Sequence, residues 1–103
     1  MTTNEALPLA RMLSATVRLP QHVVFREFPA ETVVLNLDTG KYHSLNPVGG
    51  RMLEMLDHTK SVQEAVRRLQ DEFREQDPAV VEADLYQFCL DLAMRGLIEV
   101  EVA

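Results

Sequence analysis

Hydrophobic positions along this chain change their period near residue 47. Before that point they favour β-structure. Val23–Phe28 is rich in β-branched and aromatic residues and is closed by the turn-forming Pro29-Ala30-Glu31. Two further short runs, 32–37 and 41–45, flank Asp38-Thr39-Gly40. In that turn Asp38 is expected to bond its own backbone, and Gly40 to take the positive φ that closes a hairpin with a bulge. Three short strands joined by tight turns predict an antiparallel meander. Asn46-Pro47 then reads as a helix start, because Asn caps the free N–H groups of a first turn and Pro sits where a missing donor does no harm. A hairpin that runs straight into a helix leaves Lys41–Leu45 without a sequence neighbour on its far side. A free edge is predicted there, and a free edge can take up an extended peptide.

From Pro47 the period lengthens to about 3.6 residues. A first helix is expected from Pro47 to about Asp57, with Val48, Met52, Met55 and Leu56 inward. Gly49 and Gly50 each weaken it by roughly 0.5–1 kcal/mol relative to Ala. Their expected use is to let a strand or helix come close. Ser61-Val62-Gln63-Glu64 is a capping box that opens a second helix through about Glu75, burying Val62, Ala65, Val66, Leu69 and Phe73. Asp77-Pro78 starts a third, which Gly96 stops after Arg95 in the left-handed conformation. Leu97–Val102 reads as a short final strand. Met1–Pro20, with scattered leucines and no sustained period, reads as a flexible N-terminal arm, leaving 21–103 as the folded domain.

The third helix is apolar on two sides. At 100° per residue Val81, Leu85, Phe88 and Leu92 form the expected core stripe. Ala83, Tyr86, Leu90 and Met94 form a second line, and Asp84, Gln87, Asp91 and Arg95 fill a polar sector. Either the fold wraps this helix on both sides, or one stripe floors a binding groove or a dimer interface.

At 103 residues and 47% hydrophobic content, one packed domain is expected. The 16 acidic residues outweigh 10 basic ones, for a net charge of -6. That balance argues against nucleic acid and anionic membranes as partners, since both are bound by neutralising phosphate. A winged-helix transcription regulator suffers most from it: residues 61–95 carry four arginines against eight carboxylates. A single cysteine excludes an intrachain disulfide, and no apolar run reaches the ~20 residues that span a bilayer. A cytoplasmic protein is expected. His22, His43 and His58 lack metal-ligand spacing, Cys89 has no CxxC partner, and no phosphate loop or nucleophile elbow is present. No catalytic residue, metal site or cofactor is therefore expected, and the chain does not read as an enzyme. A non-catalytic protein-interaction subunit remains an alternative.

Four stretches carry a resemblance: Val33 to Gly49 (VVLNLDTGKYHSLNPVG), Ser61 to Ala65 (SVQEA), Val81 to Leu85 (VEADL) and Leu92 to Ile98 (LAMRGLI). Together they closely resemble the PqqD family, the peptide chaperones or RiPP recognition elements of ribosomal peptide natural-product pathways. The resemblance implies an α+β, winged-helix-like fold of three antiparallel strands followed by three helices. It implies a precursor (leader) peptide as partner, added as a strand beside 41–45 and presented to a modifying enzyme such as a radical-SAM protein. It also implies a groove between that strand and the third helix, with Lys41, Tyr42, His43, Ser44 and Leu45 on the edge and Leu85, Tyr86, Cys89 and Leu90 across it. Lys41 and Arg51 are expected to pair acidic leader residues, and Glu82 a basic one. Leu53 stands where family members often carry tryptophan, and the N-terminal arm is longer than the module needs. The product, whether pyrroloquinoline quinone, a lasso peptide or another, is left open. Alone, the protein is expected to be a monomer or weak homodimer.

Overall fold

A computed structural model describes residues 7–102 of the chain. It has an α+β fold built on a three-stranded antiparallel sheet and three helices. The strands are β2 (Val23–Glu27), β3 (Thr32–Asn36) and β4 (Tyr42–Leu45), in the order β2-β3-β4. The helices α2 (Pro47–Thr59), α3 (Val62–Glu72) and α4 (Pro78–Met94) follow in sequence. Ahead of them lie a short helix, α1 (Leu9–Leu13), and β1 (Thr16–Arg18), and after them comes β5 (Glu99–Glu101).

The hairpin turn closes by a different residue from the one expected. The Asn36 side chain, not that of Asp38, accepts from the N–H groups of Asp38 (2.9 Å) and Thr39 (3.3 Å). Asn36 therefore both ends β3 and holds the turn, which stops the strand one residue early. Gly40 does adopt a positive φ of 74°. Its N–H donates to the Asn36 carbonyl, and the Asn36 N–H donates to the Lys41 carbonyl at 2.9 Å.

All three helix starts carry the side-chain caps read from the sequence. Asn46 Oδ1 accepts from Gly49 N–H at 2.7 Å, Ser61 Oγ from Glu64 N–H at 3.2 Å, and Asp77 Oδ1 from Ala79 N–H at 2.9 Å. In α3 the buried set is Val62, Ala65, Val66 and Leu69, while Phe73 is only half-buried at the helix end. In α2 the inward stripe differs from expectation. Leu53, Met55 and Leu56 are buried, whereas Val48 is half exposed and Met52 only partly covered. The reason is that Gly49 and Gly50 themselves face the sheet and turn the helix by their own register. A Cβ on Gly50 would lie 2.2 Å from Thr32 Oγ1 and 2.9 Å from its Cβ. Helix and strand touch backbone to side chain, as the glycine pair suggested.

The N-terminal arm is the largest departure from the sequence reading. Met12, Ala15 and Val17 are all buried. β1 pairs antiparallel with β5 through Thr16–Glu101, Val17–Val100 and Arg18–Glu99. The Val17 N–H also donates to the Lys60 carbonyl, and the Val62 N–H to the Ala15 carbonyl, which ties the arm to the α2–α3 corner. Residues 9–18 thus belong to the folded unit and give Met12, Ala15 and Val17 to its core, while 1–6 lie outside the described residues. A turn of helix followed by a three-residue strand shows neither period for long enough to be read from sequence. Gly96, at φ 73°, ends α4 and turns the chain so that Leu97 and Ile98 enter the core before β5.

The Gly50–Thr32 contact makes a test. Gly→Ala inside a helix ordinarily gains up to ~1 kcal/mol, but here a new methyl must displace a buried side chain. Gly50→Ala should lose about 1–3 kcal/mol in urea unfolding. Gly49→Ala, whose Cβ would meet neighbours only at 3.3–3.6 Å, should lose less.

Candidate functional site

β4 is the edge of its sheet, and the hydrogen-bond pattern tells which groups it leaves open. The strand pairs with β3 in the register Thr32–Leu45, Val33–Ser44, Val34–His43 and Leu35–Tyr42. Because Asn36 and Lys41 form a hydrogen-bonded pair, alternation makes Leu35–Tyr42 and Val33–Ser44 the non-bonded pairs. Tyr42 and Ser44 therefore turn their N–H and C=O groups away from β3. The open edge presents two donors and two acceptors.

The side chains of the edge divide between two faces. Val34 is buried, so its row partner His43, and Leu45 with it, face the helices, and both are half-buried. Tyr42 and Ser44 lie on the outer face. Tyr42 is 71% exposed, and Ser44 donates to the carboxylate of Glu31. Lys41 stands just ahead of the strand, its N–H donating to Thr39 Oγ1 at 3.2 Å and its side chain exposed.

Across the inner face runs α4, and the side it turns toward β4 is not the one the sequence reading favoured. Leu85 and Cys89 have no exposed surface at all. They are core, and the Cys89 thiol is pushed up to about 12 by burial. Tyr86 and Leu90 face the other way. The Tyr86 hydroxyl donates to the Leu7 carbonyl, and Leu90 lines a cleft with Leu7, Met12 and Val17. That cleft, open and about 1340 Å³, is lined by Leu90, Ala93 and Met94 of α4 and edged by β5. The residues that do meet the β4 side are Phe88 and Arg95. Phe88 Cε1 stands 3.6 Å, and Leu45 Cβ 3.4 Å, from the position of a Gly49 Cβ. The Arg95 guanidinium lies 3.3 Å from His43 Nδ1. Sequence reasoning missed this pair because it set Phe88 in the core stripe and Arg95 in the solvated sector. Their spacing of seven, two helical turns on one face, was the available signal.

Arg51 cannot serve as the cation proposed for it. Its guanidinium holds Glu72 with a fork of bonds, Nε to Oε2 at 2.7 Å and Nη2 to Oε1 at 2.6 Å, and also bonds Glu54. Hydrogen bonds to the two carboxylates raise its pKa further, and the Glu72 carboxyl is lowered by the same contact. Among the described residues no cluster of His, Cys, Asp or Glu could hold a metal ion, and no helix is long and apolar enough to cross a membrane.

Residues 31–98 match the profile of the family described as coenzyme PQQ synthesis protein D (PqqD). The chain belongs to the PqqD family. The matched stretch runs from β3 through α4 and so contains β4 and the α4 residues nearest it, while β1, β2 and β5 lie outside it. Among solved structures, the chain is similar to TbiB1 in complex with the TbiA(beta) leader peptide, at 34% identity and a TM-score of 0.72, over 80% of this chain and 94% of that one. It shares its fold with a lasso peptide synthetase B1 complexed with the leader peptide, at 20% identity and a TM-score of 0.72, over 82% of this chain and 98% of that one. No curated protein matches.

The burial of Cys89 is checked by its chemistry. In this PqqD-family chain the native thiol should resist alkylation at pH 9, while the unfolded chain, whose thiol titrates near ~8.5, reacts at once. The folded state keeps the proton that the unfolded state releases, so rising pH favours unfolding. The stability advantage of the native chain over Cys89→Ala should shrink between about pH 8.5 and 10, measured by urea unfolding at each pH.

Proposed function

We propose that this protein is a leader-peptide chaperone of a ribosomal peptide pathway. It captures a precursor peptide in the cytoplasm by strand addition on β4 and presents it, without turnover, to a modifying enzyme. The observation that carries this is the open edge of Tyr42 and Ser44, lying beside a groove whose helical wall is Phe88 and Arg95. Main-chain bonds to the edge supply affinity that depends little on sequence, and the groove side chains select alternate residues of the added strand. Membership of the PqqD family and the two leader-peptide complexes among similar structures support the same reading.

The site is therefore revised. Lys41, Tyr42, His43, Ser44 and Leu45 remain its strand side, and Phe88 and Arg95 replace Leu85, Tyr86, Cys89 and Leu90 as its helix side. Strand addition also sets a limit on what one subunit can do alone. The bound peptide is held against an exposed sheet edge, and the chemistry must come from a second protein that reaches the peptide beyond that edge.

Ser44→Pro isolates the edge from the fold. Proline removes a donor that faces outward and leaves the β3 pairing intact, since Val33–Ser44 is a non-bonded pair. The variant should keep its melting temperature within a few degrees and lose peptide affinity at least tenfold, read by isothermal titration with an extended peptide of about ten residues. In the wild-type protein the same titration followed by NMR should move the amides of 42–45 together with those around Phe88 and Arg95. Shifts confined to α3 would contradict the assignment.

A further inference from the structure

The groove has a chemical polarity along its length, and that polarity specifies a peptide. Leu45 and Phe88 both lie close to Gly49 at one end. His43 and Arg95 meet at the other. The two ends lie in successive inward rows of the sheet, Thr32–Leu45 and Val34–His43. A strand added to the β4 edge extends each row by one residue, with Cβ atoms about 4.5–5.5 Å from those of the strand it joins. Its residue beside Leu45 lies against apolar carbon. Its residue two positions away, beside His43, lies under a guanidinium.

The contact assigns the roles of the two ring nitrogens of His43. Arginine has donors only, so the Nδ1 atom that lies 3.3 Å from the Arg95 Nη1 is the acceptor in this pair, and Nε2 is the ring nitrogen placed to donate. That leaves Nε2–H as a donor directed away from Arg95. Most of the five guanidinium N–H groups are also uncommitted, since the other neighbour of Arg95 is Asp91 at 3.8 Å, with both side chains more than half exposed. Lys41, in the adjoining inward row, adds a second cation, and Asp91 is the opposing anion. The row beside His43 thus offers convergent donors, and the carboxylate paired with Arg95 among the described residues is Asp91.

Resting on the strand-addition reading, we infer that the groove selects peptides that place an Asp or Glu side chain beside His43 and Arg95, two residues from a Leu, Ile or Phe seated on Leu45 and Phe88. The carboxylate accepts from His43 Nε2–H and from the Arg95 fork. The apolar side chain covers the partly buried Phe88 ring. In a protein of net charge -6, this groove is a local exception to the general repulsion of acidic ligands. The peptide strand direction decides only whether the acid precedes or follows the apolar residue.

The probe is an arrayed library of N-acetylated extended peptides of about ten residues, in which single positions are fixed as Asp, Glu, Asn, Gln, Lys or Leu. Against the wild-type chain, the bound set should be enriched in Asp or Glu two positions from Leu, Ile or Phe. Replacing that acid by its amide should weaken binding roughly tenfold or more, the size of a charge-assisted hydrogen bond. Arg95→Glu should invert the preference to Lys at the same position, and Arg95→Gln should erase it. Arg95 is exposed at the end of α4, and an unchanged melt for Arg95→Gln shows that specificity and not folding has moved. An acid-to-amide change that costs less than threefold, or an Arg95→Glu protein with an unaltered preference, overturns the inference. Ser44→Pro separates the two levels. If it abolishes binding of peptides that show no acid preference, only the specificity inference fails. If it leaves binding intact, or if no peptide binds the wild-type chain, the edge reading fails and this inference with it.

Discussion

The distance between α2 and β3 governs the rest of the molecule. Gly50 lies so close to Thr32 that a single methyl would overlap its hydroxyl. With any other residue at 50 the helix would stand off from the sheet. The corner at Asn46-Pro47 would then open, and α4, whose Phe88 lies close to Gly49, would move with it. Gly49 adds little to this constraint, since a Cβ there would meet Leu45 and Phe88 at ordinary contact distances of 3.4 and 3.6 Å. Gly50 costs helix propensity and fixes the gap between α2 and β3, a trade of local stability for a close approach of helix and strand.

Much of the fold was legible because several local signals agreed. Caps at Asn46, Ser61 and Asp77, prolines at the first turns of α2 and α4, and positive φ at Gly40 and Gly96 all fell where their chemistry placed them. The edge position of β4 followed from connectivity alone, since its sequence neighbours are a hairpin and a helix. The N-terminal segment was not legible, because Ala15 and Val17 are held by partners more than 40 residues away in sequence (17 to 60 is 43): the α2–α3 corner and β5. The edge strand was legible in the sequence, but the α4 residues that lie nearest it were not. An amphipathic wheel gives the angle between stripes but not which neighbour each one meets. The arm determined that: by covering the Tyr86 side of α4, it left the Phe88 side for β4.

Charge is distributed in a way that argues against the DNA-binding use of a helix-rich α+β fold. Every arginine in or beside α3 lies against a carboxylate: Arg67 and Arg68 with Glu64, Arg74 with Asp71, and the Arg51 of α2 with Glu72. Such exposed pairs add little stability, about 0–1 kcal/mol each. They do cancel the positive potential that would draw a phosphate backbone. The cations near the groove are different, since Lys41 has no carboxylate partner among the described residues and Arg95 holds Asp91 only loosely.

An open edge carries the hazard of pairing with any strand, including another copy of itself. Here the edge is four residues long and bounded by Gly40 on one side and Pro47, which has no N–H, on the other. Two donors and two acceptors from Tyr42 and Ser44 cannot hold a partner by backbone alone, because an isolated two-stranded pairing is marginal in water. In the strand-addition proposal, stable capture requires that alternate side chains of the incoming strand also find the space between β4 and α4. A strand with the wrong residues forms the same main-chain bonds and gains nothing more, so it leaves quickly. Shortness of the edge and chemistry of the groove act together: the first keeps nonspecific pairing weak, and the second adds the free energy that distinguishes one peptide from another.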